Sequence, residues 1–216
     1  MRIPFFCFAF FLLISPVFAQ NNRDPISLYR TGRDLESRNR MSEADYYYNE
    51  AVRICLDDIS RNTASRDTYT ALTWALQRQK KYQDVITWGE RGLRLYSDEY
   101  RIIETMGEAY FYLDNWNESI RFMQRFANSV PQGERTSVAY FFIGEIYRYR
   151  GLYYHADIAY STAVRLEPNV ALWWYRLGSV REALGDLAQA VTAYERALRI
   201  NPDYQEAQNG LTRSRR

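Results

Sequence analysis

The sequence predicts an all-α solenoid, a pile of helix pairs each resting on the next. The strongest observation is internal repetition with a period of about 34 residues, a size that marks repeat architectures. Segment Val138–Val170 superposes without a gap on Leu172–Tyr204, one period further on. Six like pairs keep that spacing: Pro168 and Pro202, Gly144 and Gly178, Gly151 and Gly185, Ala156 and Ala190, Tyr160 and Tyr194, Ala163 and Ala197. In such architectures one unit cannot bury its apolar face alone. Composition agrees: 47% apolar and 25% charged residues describe a folded soluble chain rather than a disordered tail. A net charge of +2 excludes the strong basic excess of a dedicated nucleic-acid binder.

Each recurring position has a physical task. Tyr140 or Trp174 opens a first helix and fills the space beside the second. Gly144 and Gly178 permit close approach of the two helices, and Gly151 and Gly185 lie in the turn, where a positive φ is expected. Ala156 and Ala190 are small where the helices cross, and Tyr160 and Tyr194 are expected to reach the neighbouring repeat. Pro168 and Pro202 stop the second helix, because proline cannot continue its hydrogen bonding. This pattern resembles the tetratricopeptide repeat, a helix–turn–helix unit of the same length. The resemblance implies a right-handed α-α superhelix of about five repeats, with first helices lining a concave face.

The chain divides accordingly. Residues 1–19 carry Arg2, an apolar run Phe5–Ile14, the breakers Ser15 and Pro16, and a small residue at Ala19. That is the layout of a secretory signal, cleaved near Ala19. Its apolar core is shorter than the roughly 20 residues that span a bilayer, although retention as an anchor is the competing reading. Gln20 follows the cut, where a lipid anchor requires cysteine. The expected destination is periplasmic or secreted. Only Cys55 then remains, so no intrachain disulfide forms, and its apolar neighbours suggest a small core residue.

Residues 20–24 lead in, and repeats follow at 25–58, 66–99, 100–133, 137–170 and 171–204. Repeat one is recovered by Gly32, Ala44, Tyr48 and Ala51, and Ile59–Ser65 separates it from repeat two. Repeat two carries Thr73, Lys80 and Val85 where small or turn residues are expected. Its second helix contains Gly89 and Gly92, each costing roughly 1 kcal/mol relative to alanine, and is expected to be the softest. Repeat three has Asp114 in place of the turn glycine, and a short insertion, Glu134–Thr136, precedes repeat four. Residues 205–216 are expected to form a short cap with Ala207 and Leu211 as its apolar contacts, weakened by Gly210. That cap leaves the end near Val191, Tyr194 and Leu198 imperfectly covered, open to a partner or a second copy.

The resemblance implies which side chains face the groove: Tyr29 and Arg33, then Trp74 and Arg78, then Glu104, Glu108, Phe111 and Tyr112. Phe141, Glu145, Arg148 and Tyr149 follow, and the last repeat offers Tyr175, Ser179 and Glu182. Tyrosine, tryptophan and arginine dominate interface hot spots, so such a surface suits a peptide or protein. Related modules that hold chaperone C-terminal carboxylates use Lys, Asn and Arg at inward positions. Glu104 and Glu108 stand there instead, which disfavours a carboxylate tail. As an acid/base pair these two glutamates lack a closed cleft, and one solvated helix face is the expected reading. Asn117-Glu118-Ser119 matches a glycosylation acceptor, but Ser119 fills a small helix-crossing position.

His155 has no partner that sequence can assign, and no phosphate loop, nucleophile elbow or paired metal spacing occurs. The expectation is therefore a non-catalytic scaffold in the cell envelope, with no cofactor, no metal, no nucleic acid and no stable membrane insertion after cleavage. The alternative is a periplasmic small-ligand-binding or transport-accessory protein using an aromatic-lined pocket.

Overall fold

Asp24 starts the first helix, its carboxylate accepting hydrogen bonds from the Ile26 and Ser27 backbone N–H groups at 3.1 Å each. The computed structural model describes residues 24–131, 133 and 135–216, so the signal segment and its cleavage point lie outside the described residues. Helices come in pairs: α1 (Pro25–Ser37) with α2 (Met41–Ser60), α3 (Arg66–Arg78) with α4 (Tyr82–Leu95), and α5 (Tyr100–Tyr112) with α6 (Trp116–Ser129). Then come α7 (Thr136–Tyr149) with α8 (Tyr153–Leu166), α9 (Ala171–Ala183) with α10 (Leu187–Ile200), and a final α11 (Gln205–Ser214). No strand occurs among the described residues. Every helix packs on its successor, and first helices pack on one another, α1 on α3, α3 on α5, α5 on α7 and α9 on α11. One apolar cluster runs unbroken from Ile26 to Ala159, so four repeats share a core.

The turn between the two helices of each pair is the same in all five repeats. Asn39, Lys80, Asp114, Gly151 and Gly185 occupy one equivalent position, and their φ values are +59°, +58°, +56°, +70° and +80°. The left-handed conformation is imposed by the stack, whichever residue is present. Glycine supplies it without strain, and asparagine and aspartate tolerate it better than lysine.

Glycine on the first helix has a different task from the one expected. A Cβ at Gly144 would stand 2.6 Å from the Tyr160 ring, and one at Gly178 would stand 2.8 Å from Tyr194. Gly32 receives Tyr48 in the same way. The glycines therefore make room for a tyrosine ring of their own repeat rather than for backbone contact. Tyr160 lies on Gly144, its hydroxyl donates to Glu145 of the same pair, and its ring shares a buried cluster with Trp173 and Leu177 of repeat five.

Repeat two reverses this arrangement. Thr73 stands at the glycine position, fully buried, its hydroxyl donating to the Tyr69 carbonyl at 3.0 Å. Gly89 stands at the tyrosine position, and Met106 of repeat three fills its space, 2.6 Å from where a Cβ would be. Gly92 similarly accepts Ile102 and Tyr69. The glycines of α4 are thus close-packing sites rather than gaps in a soft helix.

The C-terminal end also departs from expectation. Helix α11 begins one full period after α9 and repeats its placement, packing on α9 and α10. Gly210 lies on the Tyr194 ring, where any Cβ would clash, and Ala207 and Tyr194 are fully buried. Gly210 therefore seats the cap instead of weakening it. At the end near Val191, Tyr194 and Leu198, α11 buries Tyr194, whereas Val191 and Leu198 remain half-buried.

Candidate functional site

The first helices present a row of charged side chains, and the row is internally paired. Arg78 Nε of α3 lies 3.0 Å from Glu36 Oε2 of α1, which also accepts the Tyr48 hydroxyl at 2.6 Å. Gln77 of α3 donates to Glu108 of α5. Arg135, just before α7, donates to Glu104 and, at 2.6 Å, to Glu108. On α7, Glu145 holds Arg148 at 3.0 Å and Arg176 of α9 at 3.0 Å. Glu182 of α9 takes both arms of Arg213 from α11, at 2.7 and 2.9 Å. Successive first helices are thus stitched together along one face. Immobilised side chains lose less entropy when a partner binds.

Burial sets the electrostatics of this row. Glu104 is 8% exposed, so the expected solvated helix face is wrong for it. Burial pushes its carboxyl up to about 7, against the opposing pull of Arg135. Glu108 is likewise raised by burial and held back by Arg135 and Gln77. Arg135 offsets much of the repulsion expected from these two glutamates. Glu182 behaves oppositely: the Arg213 hydrogen bonds hold its carboxyl below the ordinary range. Burial and then the Glu36 carboxylate push the Tyr48 hydroxyl up to about 12, so it remains a donor.

The expected groove aromatics separate into two groups. Tyr29 is buried, packed between Tyr48 and Trp74 with centroids 6.0 and 5.0 Å away, and belongs to the core. Arg101 covers Trp74 at 5.8 Å. Phe141 stacks on Trp173 at 5.5 Å, and Tyr175 lies between Tyr194 and Tyr204. These are packing residues. Phe111, Tyr112 and Tyr149 instead gather at the turn end of repeats two to four, where Tyr82, Trp116 and Phe142 join them. Arg33 and Arg78 are exposed on their helices.

Sequence reasoning missed Arg135, Arg176 and Arg213 as row members, and Tyr82, Trp116 and Phe142 as ring partners. A signal existed for two of these. Tyr82 and Trp116 each begin a second helix, one period apart, so a large ring recurs at that register.

Elsewhere the single-residue readings resolve simply. Cys55 is fully buried, and burial pushes its thiol up to about 12, as suits a core residue. Ser119 is buried and donates to the Gly107 carbonyl at 2.8 Å, which leaves Asn117-Glu118-Ser119 locked in α6. His155 is exposed beside Tyr147, on the wall of a cavity of about 420 Å³ between α6 and α8. That cavity is lined by Gln124, Tyr140, Ile143 and Ile158 among others, and by none of the expected groove aromatics. Among the described residues no cluster of three or more His, Cys, Asp or Glu is placed to hold a metal ion. No described helix is long and apolar enough to cross a membrane.

Comparison with known proteins agrees with this geometry. Two tetratricopeptide-repeat family models match adjoining segments, residues 137–170 and 171–204. Among solved structures, YrrB, described as a TPR protein with an unusual peptide-binding site, is similar with a TM-score of 0.58 at 17% identity. The match covers 90% of this chain and 95% of YrrB. MamA from Desulfovibrio magneticus RS-1 aligns with a TM-score of 0.62 at 18% identity, over 84% of this chain and 97% of that one. TTC0263, a TPR protein of Thermus thermophilus, aligns with a TM-score of 0.60 at 14% identity, over 88% of this chain and 98% of that one. No curated protein matches the sequence. At these identities the structural likeness speaks to fold, a right-handed α-α superhelix. Residues 137–204 thus carry two tetratricopeptide repeats matched in sequence, and the whole stack shares the tetratricopeptide-repeat solenoid fold.

Proposed function

We propose that this protein is an exported scaffold of the cell envelope that holds a protein or peptide partner on the inner face of its first helices. The repeat architecture is that of an interaction scaffold. The observation that carries the site is the paired row from Glu36 to Arg213, which fixes the inner side chains before any partner arrives. YrrB, of the same fold, is described as having a peptide-binding site. Export is supported by the signal-like layout of residues 1–19, with release as a periplasmic or secreted chain after cleavage near Ala19.

Affinity capture from the native envelope tests this reading. Arg33→Glu on α1 and Ser179→Trp on α9 change the inner face without breaking the paired row. Both should lose most of the partner retained by the wild type, while Arg165→Glu on α8 retains it. Full retention by both inner-face variants would contradict the reading. N-terminal sequencing of the exported chain should begin at Gln20; an intact Met1 would contradict cleavage.

A further inference from the structure

Along the rim where first helices turn into second helices, rings from adjacent repeats stack in pairs. Tyr82, which starts α4, lies on Tyr112, which ends α5, with centroids 4.8 Å apart and planes at 14°. Trp116, which starts α6, lies on Tyr149, which ends α7, at 5.9 Å and 18°. Phe111 and Phe142 meet edge-on at 4.9 Å and link the two rungs. Although each ring has a partner, Tyr112 and Tyr149 remain 50% and 53% exposed.

The surface beside them is also apolar. Leu113, Leu152, Tyr153 and Tyr154 continue it, so six of the fifteen exposed large apolar side chains among the described residues fall on these two turns. An apolar concentration of this kind marks an interaction surface. Tyr153 starts α8 as Trp116 starts α6, yet α9 ends in Ala183 where α5 and α7 end in tyrosine. The next rung is therefore half built.

Cations border the rim. Arg150 lies over the Trp116 ring at 5.6 Å and donates to Asn117 Oδ1 at 2.8 Å. Among the described contacts neither it nor Lys80 or Lys81 has a carboxylate partner. Asp84 and Asp114 are the carboxylates of the same turns left unpaired, so positive charge is in excess.

We propose that this rim binds an extended segment of a protein partner in which aromatic or proline rings alternate with carboxylates. The rings pack on the exposed portions of Tyr112 and of Tyr149, beside the Arg148 guanidinium that lies over the latter at 4.3 Å, and one of them completes the rung that Tyr153 begins. Carboxylates of the same segment meet Arg150, Lys80 and Lys81. Tyrosine and tryptophan suit this role because they offer a large contact area from only two side-chain torsions, and opposite charge orients the segment. The inference rests on the scaffold reading and names the chemistry of one part of its partner.

Fluorescence anisotropy tests it with a labelled peptide of alternating glutamate and Trp-Pro units, titrated with the purified chain. A version with alanine for every ring and a version with lysine for every glutamate should each bind at least about tenfold more weakly. Tyr112→Ala combined with Tyr149→Ala should weaken the original peptide by at least about tenfold. Arg150→Glu, a surface change that leaves the rungs intact, should weaken it about fivefold and improve the lysine version. Equal binding of the ring-free or lysine peptide overturns the proposal. So does an unaffected Arg150→Glu variant, or no binding of any peptide at millimolar concentration. Ser179→Trp and Arg33→Glu should keep the peptide while losing the captured partner, which separates failure of the rim from failure of the groove.

Discussion

Repeats two and five solve one packing problem in opposite ways. In repeat five the first helix contributes nothing at the crossing, Gly178, and the second helix contributes the Tyr194 ring. In repeat two the first helix contributes Thr73, the second contributes Gly89, and Met106 of the next repeat fills the remainder. What the stack keeps constant is occupied volume at the crossing, not the residue that occupies it. Close packing enforces this, since interiors tolerate neither voids nor overlap. A pattern search keyed to glycine therefore reads repeat two as poor although its core is complete.

The largest expected effect breaks the well-patterned side. Tyr194→Ala removes a fully buried ring that also seats Gly210 of α11, and should cost about 4 kcal/mol. Urea unfolding measures it, and amide exchange should show α11 opening with it. On the exchanged side, Gly89→Tyr imposes the common pattern on a site already filled by Met106, and should cost about 3 kcal/mol. Adding Thr73→Gly and Met106→Ala should recover part of that loss, as a coupled cluster requires. Full additivity would break the volume argument.

Two carboxylates sharpen the comparison through pH. Glu104, raised to about 7, keeps its proton in the fold after the unfolded chain has released it. Its contribution is therefore greatest below about pH 4.5 and falls as pH rises through about 7. Glu104→Gln removes this slope, so the variant should gain about 2 kcal/mol on wild type between pH 5 and pH 8. Glu182, lowered by Arg213, has the opposite sign. Its contribution is present at neutral pH and is lost on acidification below the ordinary glutamate range, and Glu182→Gln should remove that acid loss. Thermal melts across pH give both slopes.

The smallest effect concerns the shared turn. Lys80 bears a φ of +58° that glycine adopts freely, so Lys80→Gly should stabilise by about 0.5–1 kcal/mol. Gly151→Lys, the reverse change at the equivalent turn of repeat four, should cost about 1 kcal/mol. Chemical denaturation of the pair checks the sign.

The same residues show what sequence conveys and what it does not. Gly151 and Gly185 announce the turn because glycine is the unstrained choice, and Pro168 and Pro202 announce the ends of α8 and α10. Lys80 hides its turn, since only the backbone of the finished stack reveals the positive φ. Tyr48, Tyr160 and Tyr194 are legible as repeat positions, but their glycine partners read as backbone contacts because a ring and a backbone demand equal space. Arg135 sits in the short insertion ahead of α7, outside any repeat register, so nothing periodic points to Glu104 and Glu108 as its partners. Of the candidate groove, the charged positions largely coincide with the paired row, whereas Tyr29 and Phe141 belong to packing, because helical spacing alone fixes a face only to within one residue.

The inner face of the first helices is the proposed partner site. Site-specific photo-crosslinking tests it most directly, with a benzophenone side chain placed at Arg33 or Ser179 on the inner face and at Arg165 on α8. Crosslinked partner is expected from positions 33 and 179, and little from 165. Crosslinking from 165 alone would contradict it.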